Sequence, residues 1–317
     1  MHVLWRKTGF GNMLTRCLGK TQLQVSVVSL GGWALGGGTD WGPTEFADVQ
    51  RTIDAALHNG VNLMDTAPIY GNSEEVIGRA LTGKRDQVII STKCGLVKNG
   101  SWTDHDLRPE TISRQLENSL RNLRTDYIDI YLIHYLDPQI SWQDVLETLI
   151  TCKQQGKIRH IGVCNVPADV LEKMAQTGII SCVQQELSLL HRELGRTILD
   201  VCHRYQLGFM AYGCLCGGIL SGKYRQAPNL RRADARNYFY KCYRGENFDR
   251  AQQTVDCVKQ VATQQKILPA QVALAWVLAQ PGVTCALAGA RNPDQMACNA
   301  RAAEIKLSAG DLCNLSK

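Results

Sequence analysis

The sequence predicts an α/β fold, specifically a closed (β/α)8 barrel, and three observations predict it. Eight short apolar runs recur along the 317 residues, helical patterns separate them, and no G-x-G-x-x-G follows the first run. The runs are Val27–Gly31, Val61–Asp65, Val88–Lys93, Ile128–His134, His160–Cys164, Cys182–Glu186, Leu207–Tyr212 and Thr284–Ala288. Several are near-continuous rather than alternating, as strands buried on both faces are. Strict alternation of strand and helix requires crossovers and therefore a parallel sheet. Eight strands with no switch point close into a barrel, and the missing glycine fingerprint argues against an open dinucleotide-binding sheet.

The intervening helices carry their own punctuation. Thr44–Asn59 sets Phe46, Val49, Ile53, Ala56 and Leu57 on one face and stops at Gly60. Arg108–Leu123 begins at Pro109 and has the stripe Ile112, Leu116, Leu120 and Leu123. Trp142–Gln155 stops at Gly156, and a helix from Pro167 stops at Gly178. Further helices read at Gly195–Tyr205, Asp249–Gln265 and Pro269–Gln280. The expected organisation is a disordered extension over residues 1–12, then one barrel domain over 13–317, with an N-terminal β-hairpin and extra helices late in the chain.

Composition narrows the class. With 44% hydrophobic and 20% charged residues the chain has ample material for one large core. A net charge of +6 is spread thinly, which suits an anionic small molecule and not a nucleic acid. The 13 cysteines are scattered without a C-x-x-C pair. No metal site is expected from them, and a reduced, cytoplasmic setting is. No apolar run is long enough to span a bilayer, and residues 1–12 lack the apolar region of a secretory signal.

The polar residues at the strand ends carry the chemistry. Asp65 closes the second run, Lys93 the third and His134 the fourth; Asn165 follows the fifth, Gln184 lies in the sixth and Tyr212 ends the seventh. Barrel enzymes work at this end of the strands. Singly, Asp65 reads equally well as a turn cap, Lys93 as a solvated residue and His134 as a core histidine; jointly they define one mouth. Tyr70 sits in the loop after Asp65. A lysine beside it is expected to lower a phenol pKa that starts near ~10. The stretch Tyr212–Asp249 has no period and holds Arg225, Arg231, Arg232, Arg236, Lys241 and Arg244. Two readings stay open for it: a lid over a phosphate-bearing ligand, or a solvated loop.

The same residues give the chain a family resemblance. From about Cys17 onward it resembles the aldo-keto reductases, and WGPTEFADVQ and DTAPIYG look more like the bacterial and plant stress-type aldehyde reductases than like the channel β-subunits of the same family. Their Asp, Tyr, Lys, His tetrad is matched by Asp65 and Tyr70 in NLMDTAPIYG, Lys93 in IISTKCG and His134 in YLIHY. The resemblance implies nicotinamide contacts at Asn165, Gln184 and Tyr212, with Cys164 where relatives have serine, a weaker hydrogen-bond partner. It implies pyrophosphate contacts in GCLCGGILSGKY, at Gly213, Leu215, Gly217 and Lys223. Gly289, Arg291, Gln295 and Asn299 in the segment after the eighth run are implied to hold the adenosine, with Arg291 on a 2′-phosphate. Alternatively, Asn292 merely caps a helix and Arg291 is exposed. Gly32 and Trp33 match residues lining the cofactor ribose and the substrate mouth, and Asp65 also counts among the cofactor contacts.

The implied function is NADPH-dependent reduction of small aldehydes or ketones. Tyr70 would donate the proton, Lys93 and Asp65 would tune it, and His134, with Trp33, would orient the substrate. Two alternatives are a binding subunit like the β-subunits of potassium channels, and a catalytically weakened paralogue. Trp33, Trp41 and Trp102 are candidate pocket walls. Neither the natural substrate, the oligomeric state nor the favoured direction is legible.

Overall fold

The computed structural model describes residues 13–100 and 102–315; the extension expected over residues 1–12 lies outside the described residues. Eight strands form a closed parallel barrel: β1 (Val28–Gly31), β2 (Leu63–Asp65), β3 (Ile89–Cys94), β4 (Ile128–Ile133), β5 (Ile158–Cys164), β6 (Ile180–Glu186), β7 (Gly208–Tyr212) and β8 (Val283–Gly289). Each strand pairs with its sequence neighbours, and β8 returns to β1. All eight apolar runs lie in these strands, with no end shifted by more than two residues.

Helices α1 (Phe46–His58), α2 (Ser73–Ala80), α3 (Pro109–Leu123), α4 (Trp142–Gln154), α5 (Ala168–Gln176), α6 (Glu193–Tyr205), α7 (Gly245–Gln265), α8 (Pro269–Leu278) and α9 (Pro293–Ala300) follow. Their ends obey the local chemistry of the sequence. Ser141 caps α4 by accepting from the Gln143 N–H at 3.2 Å. Proline occupies the first turn of α3, α8 and α9. α8 is buried on every side, Trp276 included, which is why its sequence shows no polar stripe.

The core has two parts. The larger lies between the strands and the helix ring. The smaller fills the barrel, with Leu63, Ile130, Leu132, Cys164, Cys182, Met210 and Cys285 among its members. Its floor is the expected hairpin, Thr15–Cys17 paired antiparallel with Gln24–Ser26. Leu18, at the hairpin turn, is completely buried in this inner cluster. Arg16 ties the hairpin to the barrel by donating to the Val283 carbonyl at 2.6 Å. The turn demands glycine: Gly19 has φ +55°, and a Cβ there would lie 2.4 Å from the Gly208 nitrogen.

The parallel register aligns the upper rim. Gly31 lies opposite Asp65, Asp65 opposite Ser91, Cys164 opposite Gln184, and Glu186 opposite Tyr212. On the barrel's outer surface Asp129 of β4 is a polar hub. It accepts from Arg85 Nη2 at 2.7 Å, the Ile90 N–H at 3.0 Å and Arg159 Nη1 at 3.1 Å. Tyr127 lies beneath both guanidiniums, 4.2 Å from Arg85 and 3.6 Å from Arg159. Replacing Asp129 with alanine strands the largely buried Arg85 and is expected to cost about 3 kcal/mol of stability. The urea-unfolding midpoint measures this, and a loss below about 0.5 kcal/mol would refute the hub.

Candidate active site

Asp65 ends β2 and Lys93 lies in β3, so their side chains meet across adjacent strands. Lys93 Nζ is 2.7 Å from Asp65 Oδ2 and donates to the Thr66 carbonyl at 2.8 Å. Asp65 Oδ1 accepts from Ser91 Oγ at 3.0 Å and from Gln184 Nε2 at 2.7 Å. Lys93 is fully buried. Burial is the largest single influence and opposes its charge, yet Asp65, Tyr70 and Cys164 together outweigh it and hold the ammonium above its usual range.

Tyr70 is set by its backbone. Its N–H donates to the Ala67 carbonyl at 3.0 Å and its own carbonyl accepts from Ser73 at 3.2 Å. Gly36 packs directly on this turn, because a Cβ there would sit 1.8 Å from the Tyr70 carbonyl oxygen. Ser73 Oγ donates to the Gly32 carbonyl at 2.9 Å and accepts from Thr66 Oγ1 at 2.8 Å, tying the loop to the end of β1. Gly36, Thr66, Ser73 and Ser91 therefore support the site although the sequence marked none of them; only the repeated glycines of GGWALGGG hinted at close approach.

The Tyr70 ring lies 4.8 Å from Lys93 Nζ, stacks on Trp33 at 5.6 Å and meets His134 edge-on at 5.7 Å. The four expected residues thus converge. The expected lowering of the Tyr70 pKa is corrected: burial pushes the phenol up and outweighs the downward pull of Lys93. Tyr70 stays protonated at neutral pH. Burial, with Lys93 and His105 adding to it, drives His134 well below its usual pKa, so its imidazole is neutral.

Around this centre, Asn165 adopts φ +54° just beyond β5. Its Nδ2 donates to the His134 carbonyl at 3.1 Å, and its Oδ1 accepts from the Tyr212 hydroxyl at 2.8 Å. Gln184 is buried against Asp65. The Cys164 thiol is completely buried in the inner cluster, and burial keeps it protonated.

After β7 the backbone turns left-handed at Gly213 (φ +68°) and at three successive residues, Cys216 (+46°), Gly217 (+63°) and Gly218 (+99°). Backbone turned in this way suits an anion. The Lys223 ammonium lies 3.3 Å from where a Gly218 Cβ would stand, and Leu215 is half-buried in the same turn. Beyond β8, Asn292 does cap α9, accepting from the Gln295 N–H at 2.9 Å. Arg291 is exposed and its Nη2 donates to the Pro43 carbonyl at 3.1 Å; among the described residues it forms no ion pair. Gln295 Oε1 accepts from the Arg291 N–H at 2.9 Å, and Asn299 Nδ2 donates to the Gly289 carbonyl at 3.2 Å. Glycine turns, a lysine and an unpaired arginine fit a phosphate-bearing cofactor.

The segment after Tyr212 is more ordered than its missing period suggested. It includes a helix at Ala235–Phe239 capped by Asp234, which also pairs with Arg236 at 2.7 Å. Phe239 packs edge-on to Trp33 at 5.1 Å and lies 6.3 Å from the Tyr212 ring. The segment therefore covers the mouth, while Arg225, Arg232, Lys241 and Arg244 stay exposed. Trp41 packs on Trp33 at 5.5 Å, but Trp102, 78% exposed on an outer hairpin, walls nothing.

The profile of the Aldo/keto reductase family matches residues 27–316. The chain belongs to this family. The aldo-keto reductase YhdN of Bacillus subtilis is 36% identical over 282 residues, covering 87% of this chain and 84% of that protein. The NADH-specific methylglyoxal reductase of Escherichia coli is 33% identical, covering 93% and 94%. Among solved structures, the glycerol dehydrogenase of Gluconobacter oxydans superposes with a TM-score of 0.85 at 31% identity, covering 95% of this chain and 93% of that one. As an aldo-keto reductase the chain is an oxidoreductase of carbonyl compounds that works with a nicotinamide cofactor. No helix among its described residues is long and apolar enough to cross a membrane.

A pH test follows from His134. Its folded-state pKa lies below the ordinary ~6.5 of an unfolded histidine. Below that pH the unfolded chain takes up a proton that the folded chain refuses, so stability falls with acidity. His134→Gln removes this contribution. The stability difference between wild type and variant should shift by about 1 kcal/mol in favour of the variant between pH 7.5 and 5.5. A difference independent of pH would show that the imidazole charges freely.

Proposed function

We propose that the chain is an NADPH-dependent reductase of small aldehydes and ketones, with Tyr70 as the proton donor. The observation that carries this reading is a protonated phenol held beside a fully buried, carboxylate-paired ammonium and a neutral imidazole.

A bound nicotinamide cofactor supplies the hydride. The neutral His134 and the Tyr70 hydroxyl orient the carbonyl oxygen, with Trp33 on the substrate side. As charge develops on that oxygen, Tyr70 gives up its proton, and the Lys93 charge offsets the phenolate left behind. Asp65 keeps Lys93 charged and aimed. A phenol whose pKa is raised by burial is a ready donor to a still more basic alkoxide. Asn165, Gln184, Tyr212 and Cys164 are assigned to the nicotinamide, Gly32 and Trp33 to its ribose. Gly213, Leu215, Gly217 and Lys223 are assigned to the pyrophosphate, and Gly289, Arg291, Gln295 and Asn299 to the adenosine.

Preference for NADPH rests on Arg291, an exposed guanidinium with no carboxylate partner among the described residues, because an arginine fork suits a 2′-phosphate. The family does not decide it, since the Escherichia coli relative is named as NADH-specific.

Loss of reduced-nicotinamide absorbance against a panel of aldehydes tests the reading. Tyr70→Phe should lower kcat by about 10²–10⁴-fold and leave NADPH fluorescence titration unchanged; full turnover in the variant would remove Tyr70 as the donor. In Arg291→Ala, affinity for NADPH should fall and affinity for NADH should stay. Equal losses would overturn the 2′-phosphate assignment.

A further inference from the structure

We infer that His191 and Glu186 form a charge-compensating pair behind the turn after β7, the imidazolium cancelling a carboxylate that would otherwise repel the cofactor's diphosphate. Both are positioning residues for the cofactor, a role that rests on the pyrophosphate assignment of that turn. Glu186 ends β6 directly opposite Tyr212, next to the start of the turn. A Cβ on Gly213 would lie 3.1 Å from Glu186 Oε1. A carboxylate therefore stands in the wall of a turn whose left-handed backbone otherwise suits an anion. An acid so placed costs affinity for a diphosphate unless its charge is matched. The match comes from His191, whose Nδ1 lies 3.0 Å from Glu186 Oε1. Only 24% of the Glu186 side chain is exposed, so water screens the pair only in part.

His191 is held there by its own loop. Its N–H donates to the Ser188 carbonyl at 3.2 Å, and its carbonyl accepts from the Ser188 N–H at 3.0 Å. Ser188 Oγ also accepts from the Leu190 and His191 N–H groups, at 3.2 and 3.1 Å. The next residue, Arg192, is engaged elsewhere, donating to the Leu189 and Leu315 carbonyls. From the turn itself, Cys216 Sγ lies 3.1 Å from Ser188 Oγ and 3.7 Å from His191 Nδ1. The pair thus meets the turn twice, Glu186 at Gly213 and His191 at Cys216.

The charge on the pair depends on pH. The Glu186 carboxylate raises the His191 pKa above its ordinary value against burial, while Cys242 and Lys241 of the covering segment pull it up and down respectively. Burial pushes the Cys216 thiol up, so it adds no charge. Below the raised pKa of His191 the pair is neutral overall. Above it the imidazole loses its charge, Glu186 keeps its own, and the turn carries a bare negative charge. By linkage, an anion on the turn favours the imidazolium, so cofactor binding takes up protons.

Calorimetric titration of the full-length protein with NADP+ tests the pairing. The useful range runs from about pH 7 to about pH 9, where a phosphate with a second pKa near ~6 no longer titrates. Across it the wild-type Kd should rise about tenfold, the effect of one uncompensated charge close to the diphosphate. At the upper pH, Glu186→Gln should bind about tenfold more tightly than wild type; a damaged fold would not produce a gain. His191→Asn should bind weakly at both ends of the range. Adding Glu186→Gln to it should restore affinity, which a merely structural role for His191 would not allow. Wild-type affinity independent of pH, or Glu186→Gln no tighter than wild type at the upper pH, would overturn the pairing. Wild type that binds no NADP+ at any pH would overturn the proposed function and this role with it, a result distinct from binding that ignores pH.

Discussion

The buried ion pair between Asp65 and Lys93 is the constraint on which the mouth of this barrel depends. A lysine with no exposed surface is costly unless its charge is matched and its donors are used, and here a carboxylate and the Thr66 carbonyl do both. Asp65 in turn draws in Ser91 and Gln184. One pair thereby links β2, β3 and β6 across the barrel and presents a fixed positive charge to Tyr70. Breaking either partner would leave the other buried and uncompensated, so the charge that equips the site also holds its strands in register.

Around that charge, burial sorts the remaining groups by protonation. Tyr70 is kept as a phenol and His134 as a neutral imidazole, by the same loss of water acting on an acid and on a base. The result is a cluster with one permanent cation, one transferable proton and one neutral hydrogen-bonding ring. The loop that carries Tyr70 is held by contacts on its backbone rather than its side chain. Gly36 leaves space for the Tyr70 carbonyl, and Ser73 fastens the loop to Gly32. Precision at the hydroxyl comes from residues with no chemistry of their own.

Much of this was legible in the chain. The eight runs, their helical spacers and the polar residues at strand ends follow from local periodicity, which needs no long-range information. Asp65, Tyr70, Lys93 and His134 converge as their positions implied, because parallel strands in sequential order bring their C-terminal ends to one rim. What escaped was whatever depends on distant segments. Phe239 and the helix around it had no periodic signal, being placed by packing on Trp33 from across the mouth. The sign of the Tyr70 shift was misjudged for a related reason: a neighbouring cation is visible in sequence order, but the depth of burial that outweighs it is not.

By itself, then, the sequence determined the barrel, its strand order and the identity of the charged centre, since each is encoded in the spacing of residue types along one strand or one helix. Tertiary structure alone decided the protonation states, the closing of the covering segment over Trp33 and the meeting of Cys216 with Ser188 and His191. Those depend on solvent exclusion and on contacts between residues as far apart as Trp33 and Phe239, quantities that exist only once the chain has closed on itself.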